Sequence, residues 1–186
     1  MNIKAVPLTY KGIKFRSSLE ADWAATFDDL GIYWQYEPLV IQLPSGQMYL
    51  PDFYLPLLCC WAEVKGPRWE RLDKALELRK SLTDEAPWLW RLVRVIVLEA
   101  AGPGDALSWQ APDDRQLWLT DCSECGLWGW VQDDLTCWRC GHVGGGKHFR
   151  YWPATAAAQL PEGMRPTYRM TRAPRPEPTG KSKGGK

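Results

Sequence analysis

The spacing of large apolar residues divides the chain into helical and extended stretches. Leu19, Trp23, Phe27 and Leu30 recur at three- and four-residue intervals, which lines them along one side of a helix. The spacing predicts a helix over 17–30, with Ser17 as N-cap and Gly31 as the stop. Glu20 stands three residues after the cap, the place of a capping-box partner. By position alone the cap is its favoured role; the alternative is a carboxylate pointing along the edge of the core. Before this helix, 8–15 reads as a short extended piece turning at Gly12. After it, the Tyr- and Trp-rich stretch 32–37 suits a strand that Pro38 breaks, and 39–43 suits another. The turn signal P-S-G-Q at 44–47 then leads into a strand over 48–55, making a hairpin. A strand over 59–64 ends at Gly66-Pro67. A charged amphipathic helix is expected over 68–82, followed by the most hydrophobic strand, R-L-V-R-V-I-V-L, over 91–98. Helix, three-strand meander, helix, strand is an α/β core of roughly one hundred residues. Residues 100–114 read as a loop, which places a domain boundary near Arg115 and gives a first domain over 1–115.

Composition adds an appendage to this picture. A chain of 186 residues holds one good core and a small extra module. The net charge of +1 hides an uneven spread: 147–186 carries 9 basic and 2 acidic residues, whereas 1–115 carries 13 and 16. Residues 153–186 are rich in Pro, Arg, Gly and Lys and poor in large apolar groups, so they are expected to be disordered or to order only on binding. Arg165, Arg169, Arg172, Arg175, Lys181, Lys183 and Lys186 make that tail a candidate polyanion contact. No apolar run approaches the roughly 20 residues of a membrane span. Residues 1–11 lack an apolar signal core, which implies no secretion and a cytoplasmic location.

The stretch Y-L-P-D-F-Y-L-P-L-L-C-C-W-A-E-V-K-G over 49–66 is where pattern and chemistry collide. Two apolar runs read as buried strands, yet Asp52, Glu63 and Lys65 interrupt them, and isolated charges in core strands are costly unless paired. Such conflicts mark functional positions. Alternate side chains of a strand share a face, so Glu63 and Lys65 point the same way. Pro51 removes a ladder donor beside Asp52 and favours a bend there. Hard oxygen ligands of this kind suit Mg2+ or Mn2+, with Lys65 placed to act on a water or to neutralise transition-state charge. A solvated Glu-x-Lys face and a Pro-Asp turn are the bland alternatives. Arg16, just before the helix N-terminus, could contact a phosphate, with a surface charge as its default reading; Glu37 reads as structural or solvated, and Arg71 and Lys74 either face the scissile phosphate or belong to a solvated helix face.

These motifs (Pro51-Asp52, Glu63-Val64-Lys65, Glu20 within F-R-S-S-L-E-A-D-W-A, and Tyr36-Glu37-Pro38) resemble those of the PD-(D/E)xK nuclease superfamily over about residues 8–100. They are especially similar to small phage-type endonucleases, including relatives of Holliday-junction resolving and transposon-end cutting enzymes. The resemblance implies a restriction-endonuclease-like core, a central mixed sheet flanked by helices. It implies Mg2+-dependent hydrolysis of DNA phosphodiesters, in branched or duplex DNA, within a host cytoplasm. In that frame Asp52 and Glu63 are metal ligands, Glu20 an auxiliary ligand, Lys65 the catalytic lysine, and the Val64 carbonyl a further ligand. The resemblance also raises Glu20 above its capping role. A duplex cutter that uses two active sites would take the second from a homodimer or from a partner.

Six cysteines in a chain with no signal argue for thiols and metal rather than disulfides. Cys122-Ser123-Glu124-Cys125-Gly126 and Cys137-Trp138-Arg139-Cys140-Gly141 are matched Cys-x-x-Cys-Gly knuckles. Four thiolates close a tetrahedral Zn2+ site of structural kind; a redox dithiol, disulfides or an iron–sulfur cluster are less favoured. The pattern resembles a zinc ribbon over 116–152, with 127–131 in its hairpin and its Trp residues either stacking on bases or packing on the neighbouring domain. His142 and His148 read as non-ligands, and Cys59 and Cys60 as buried hydrophobes.

Overall fold

Helix α1 (Ser18–Asp29) is closed at both ends by local chemistry. Ser17 is extended and its hydroxyl accepts the Glu20 N–H. At the far end the Gly31 N–H donates to Asp28 O and the Ile32 N–H to Phe27 O. These two bonds with Gly31 at φ +63° form a Schellman closure, in which a left-handed residue lets the chain fold back over the last carbonyls. Ahead of the helix, β1 (Leu8–Tyr10) and β2 (Ile13–Phe15) form a hairpin. Its two turn residues, Lys11 and Gly12, both have positive φ, the geometry that matches the twist of a tight hairpin.

A computed structural model describes residues 5–66, 72–85, 94–101, 106–110, 118–131, 136–143, 146–149 and 170–176. At its centre is a five-stranded mixed sheet. It contains β3 (Gln35–Tyr36), β6 (Phe53–Leu55), β7 (Cys60–Lys65), β8 (Arg94–Ala101) and β9 (Ala106–Gln110), in the order β3-β6-β7-β8-β9. The first three strands are an antiparallel meander, β7 and β8 are parallel, and β9 is antiparallel to β8. Helix α2 (Asp73–Glu85) lies in the crossover that two parallel neighbours require. A separate hairpin pairs β4 (Ile41–Gln42) with β5 (Met48–Tyr49).

Strand alternation sorts the side chains into two layers. Phe53, Leu55, Cys60, Ala62, Ile96 and Leu98 belong to the cluster that includes α1. On the other side Trp61 and Val95 meet Ala75 and Leu78 of α2 together with Leu43 and Tyr49 from the small hairpin. The chain is thus a mixed α/β structure with a helix on each face of its main sheet.

Three expectations change. The strand over 48–55 is two strands, split at Pro51-Asp52: the first part pairs with β4, the second joins the main sheet. Residues 100–114 are not a loop throughout, because β8 runs on to Ala101 and Ala106–Gln110 pairs with it. The run A-L-S-W-Q is too short and mixed to announce a strand; the neighbouring ladder supplies its partners. Helix α2 begins at Asp73 and ends at Glu85, while Arg68 and Arg71 lie outside the described residues.

The cysteine module contains β10 (Trp118–Cys122), β11 (Trp128–Val131) and β12 (Gly146–Phe149), in the antiparallel order β11-β10-β12. Among the described residues its buried apolar side chains belong to the core of the main sheet. Leu119 and Trp130 are fully buried in the same cluster as α1, and the Trp130 ring meets the edge of Phe27 at 6.2 Å. A side chain at Gly129 would press on Leu58, since a Cβ there would lie 3.2 Å from its Cδ2. The Arg94 guanidinium lies over the Trp138 ring at 4.3 Å. Of the two roles open to these Trp residues, packing is the one Trp130 takes.

The basic tail also differs from expectation over its described part, 170–176. Met170 and Ala173 are buried against the α1 cluster. Asp22, only 1% exposed, accepts the Ala173 N–H at 2.9 Å, Arg172 Nη1 at 2.8 Å and Arg175 Nη2 at 2.7 Å. A buried carboxylate in the first helix therefore orders this short stretch of tail. Two arginines read as polyanion contacts are committed to Asp22. The other tail residues named above lie outside the described residues.

Candidate functional site

Where the chain breaks at Pro51, the antiparallel register would set Val64 opposite Pro51. The Val64 N–H instead donates to the Asp52 carboxylate, at 2.7 Å to Oδ2. The Asp52 side chain thus replaces a backbone acceptor at the end of the ladder, which fixes it beside the C-terminal half of β7. Its other oxygen, Oδ1, accepts Arg16 Nη2 at 2.6 Å. The same guanidinium reaches Glu37 Oε1 through Nε at 2.6 Å. Glu37 is held at φ +44°, a left-handed conformation unusual for its type, and its N–H donates to Asp52 O at 2.9 Å.

Glu63 and Lys65 share a face of β7 and bridge at 2.7 Å; the second Glu63 oxygen accepts the Tyr49 hydroxyl at 2.8 Å. Glu20 is buried and fully engaged. Its Oε1 accepts the Ser17 hydroxyl at 2.7 Å, and its Oε2 accepts both the Tyr36 hydroxyl at 2.6 Å and the Arg16 N–H at 3.1 Å. Glu20 is thus a cap partner that also belongs to the Arg16–Tyr36 network. Lys74 donates to Met48 O, so it braces α2 on the small hairpin.

Burial pushes the Asp52 carboxyl up to about 8. The negative charge of Glu63 adds to this and Glu20 contributes less, while the Val64 N–H and Arg16 pull the other way. Burial and the adjacent Glu63 likewise raise Tyr49, keeping it a neutral donor. Four carboxylates (Glu20, Glu37, Asp52, Glu63) here face two cations, Arg16 and Lys65. The cluster lies at the carboxyl end of β7, which pairs in parallel with β8. Open α/β sheets place their ligands beyond such strand ends.

The four knuckle cysteines make a different site. Among the described residues they are the group of three or more ligand side chains whose donor atoms all lie within 4.8 Å of one another. Glu20, Asp52 and Glu63 do not converge to that degree. Sγ of Cys122 lies 3.7 Å from that of Cys140, and Cys125 Sγ lies 4.0 Å from Cys137 Sγ. A tetrahedron with bonds of about 2.3 Å has edges of about 3.8 Å, so the spacing fits zinc. The knuckles repeat each other bond for bond. Glu124 N–H and Arg139 N–H donate to Cys122 Sγ and Cys137 Sγ. Gly126 N–H and Gly141 N–H donate to the carbonyls of the same cysteines, with both glycines at positive φ. All six cysteines are unpaired thiols. Burial pushes Cys137 up to about 12. Cys122 is raised by burial too, but the N–H groups of Cys125 and Glu124 bring it down to about 7.

Neither protein-family models nor curated proteins nor solved structures give a match to this chain. Its own geometry therefore carries the functional reading. The structure places Asp52, Glu63 and Lys65 about one strand end, with Glu20 joined to them through Arg16. Arg16, weighed from sequence as a phosphate contact or a surface charge, instead bonds Asp52 and Glu37; the partners that sequence reasoning did not assign are the hydroxyls of Tyr36, on Glu20, and Tyr49, on Glu63. The available signal was the tyrosines: two phenols beside a carboxylate-rich stretch offer donors that buried acids need. Among the described residues no helix is long and apolar enough to cross a membrane.

Proposed function

We propose that this protein is a metal-dependent DNA endonuclease with a structural zinc site. The observation that carries the reading is Asp52: a buried carboxyl pinned to the Val64 N–H, beside Glu63 and Lys65, in a cluster with more negative than positive groups. Such an excess fits a divalent cation, and carboxylate oxygens are the donors that Mg2+ or Mn2+ takes. Asp52 and Glu63 would hold it, with Glu20 nearby as an auxiliary acid. A bound ion would supply Lewis-acid polarisation of a phosphodiester. The chain's own groups do the rest. Tyr49 orients Glu63 through its hydroxyl. Lys65, 2.7 Å from Glu63 Oε1, supplies a proton donor and a positive charge for an oxyanion at phosphorus. The resemblance to PD-(D/E)xK nucleases supports the same roles and predicts 5′-phosphate and 3′-hydroxyl ends.

Incubation of the zinc-loaded protein with branched, nicked, single-stranded and linear duplex DNA, with and without Mg2+, tests this. Cleavage should require Mg2+, and Asp52→Ala should lose at least about 100-fold in rate. Metal-independent cutting, or an Asp52→Ala variant as active as wild type, would sink the proposal.

A second reading, a zinc-ribbon nucleic-acid-binding or adaptor protein without turnover, draws support from a specific feature. Asp52, Glu20 and Glu63 each already have internal hydrogen-bond partners. Metal titration separates the two: one tight zinc plus a weaker Mg2+ site favours the nuclease, and zinc alone with DNA binding but no cleavage favours the adaptor.

A further inference from the structure

We infer that Arg16 is a displaceable counter-ion of the carboxylate site, one that gives up Asp52 to an entering divalent cation and then takes a DNA phosphate. The inference rests on the nuclease reading and names the residue that couples metal entry to substrate.

The geometry divides Arg16 into a fixed root and a free head. Its main-chain N–H is anchored to the Glu20 carboxylate at 3.1 Å and to the Tyr36 hydroxyl at 3.2 Å. Its position next to the N-cap Ser17 adds the rigidity of the helix start. The guanidinium is the movable part: the side chain remains 58% exposed while its partner Asp52 is 5% exposed. Arg16 therefore reaches in from solvent, with Nε on Glu37 and Nη2 on Asp52.

Charge supplies the reason for displacement. Asp52 is buried, and the Val64 N–H pins it beside Glu63, a second carboxylate. With no metal, Arg16 is the one cation bonded to it among the described residues. A divalent ion on the Asp52 and Glu63 carboxylates supplies that charge more completely, and it competes for the lone pairs that Arg16 Nη2 occupies at 2.6 Å. Released from Asp52, the guanidinium keeps Glu37 through Nε, so its swing is short and its two Nη groups are free at the mouth of the site. A planar fork released beside a metal is matched to a phosphate, which accepts two parallel N–H bonds. Lys65 cannot take this role, because it is mostly buried against Glu63.

The test uses the zinc-loaded full chain and Mn2+ alone as first probe. Removing a competing counter-ion should tighten metal binding, so in calorimetric titration Arg16→Gln is expected to bind Mn2+ about tenfold more tightly than wild type. Arg16→Lys keeps a charge but not the fork, and should fall between the two; it also carries the test if the Gln variant does not fold, as checked by circular dichroism. The second probe is a short DNA duplex bound in Ca2+ at several salt concentrations. Arg16→Gln should bind more weakly than wild type, with a slope of log affinity on log salt smaller by about 1. Without added divalent cation the two slopes should agree, because Arg16 is then held by Asp52.

Mn2+ affinity that is unchanged or weaker in both variants overturns the inference, as does a Ca2+-independent difference in DNA binding. Wild-type Mn2+ binding that needs Asp52 but ignores Arg16 defeats this inference alone. A wild type that binds no Mn2+, or binds it equally well as Asp52→Asn, defeats the nuclease reading as well.

Discussion

The molecule buries two aspartates, and their surroundings differ in a way that separates structure from chemistry. Asp22 on α1 is met by two guanidiniums and one main-chain N–H. Asp52 before β6 is met by one guanidinium and one main-chain N–H, with Glu63 and Glu20 opposing its ionised form. Both are almost fully buried, so burial alone does not distinguish them. The first is over-supplied with positive charge and closes a contact between residues 150 positions apart in sequence. The second is under-supplied, and its carboxyl rises to about 8. A carboxylate whose needs are met inside the protein is a fastener. One held with other acids, short of positive charge, is prepared to exchange a partner.

The largest effect should come from breaking the fastener. Asp22→Ala strips two arginines and the Ala173 N–H of their acceptor and releases Met170 and Ala173 from the α1 cluster. We expect a loss of about 3 kcal/mol in urea unfolding, together with new proteolytic cleavage near 170–176. Asp22→Asn should lose less, since an amide oxygen still accepts the Ala173 N–H. A loss under about 0.5 kcal/mol for Asp22→Ala would place Asp22 with exposed surface charges and remove the contrast with Asp52.

An effect of comparable size is expected from pH. Folded Asp52 has its pKa at about 8 against an ordinary value of 3.8. Between those values the folded chain holds a proton that the unfolded chain has released. Unfolding free energy from this group therefore falls as pH rises, by up to about 1.4 kcal/mol per pH unit inside the window. Urea unfolding of zinc-loaded protein at pH 5, 6, 7 and 8, with no added Mg2+, should show this decline. Asp52→Asn should flatten it, and so should saturating Mg2+, which holds the folded carboxyl ionised across the whole range. Equal slopes in wild type and Asp52→Asn would mean that Arg16 and Val64 keep Asp52 ionised, making it a second Asp22.

How much of this contrast the sequence carries depends on the range of the contacts. The geometry of the four-cysteine site is local: two Cys-x-x-Cys-Gly runs dictate their own N–H to sulfur bonds, and the spacing reads directly. The ends of α1 are equally local, set by Ser17 and Gly31. Asp52 and Glu63 stand out because charges sit inside apolar runs. The partners of Asp22 were not legible, since they come from a tail whose composition argues for disorder. A hint was present in the run E-A-D-W-A-A-T-F, which is buried throughout from Glu20 to Phe27. A helix with so little solvent face has nowhere to leave a charge, so both Glu20 and Asp22 needed partners. The bonds of Arg16 to Asp52 and Glu37 were hidden for the opposite reason. An arginine just before a helix cap is ordinary in sequence, and its role appears only when β3 and the Pro51 break bring Glu37 and Asp52 to it.

The smallest effect concerns Glu20, which stands between the two kinds of carboxylate. It closes the helix cap with Ser17, and it also accepts from Tyr36 and the Arg16 main chain within the acidic cluster. Ser17→Ala removes the cap alone and should cost about 1 kcal/mol. Glu20→Gln leaves an acceptor for Ser17 but removes the charge and sets an amide against two donors. If capping is the whole role, a double-mutant cycle between the two positions will contain all of the Glu20 effect, and Mn2+ affinity will be the same in both single variants. If Glu20 also serves the site, Glu20→Gln will weaken Mn2+ binding severalfold while Ser17→Ala leaves it unchanged. The second outcome would place Glu20 with Asp52 among the exchangeable acids. The first would place it with Asp22, and would leave Asp52 and Glu63 as the whole of the proposed metal-binding pair.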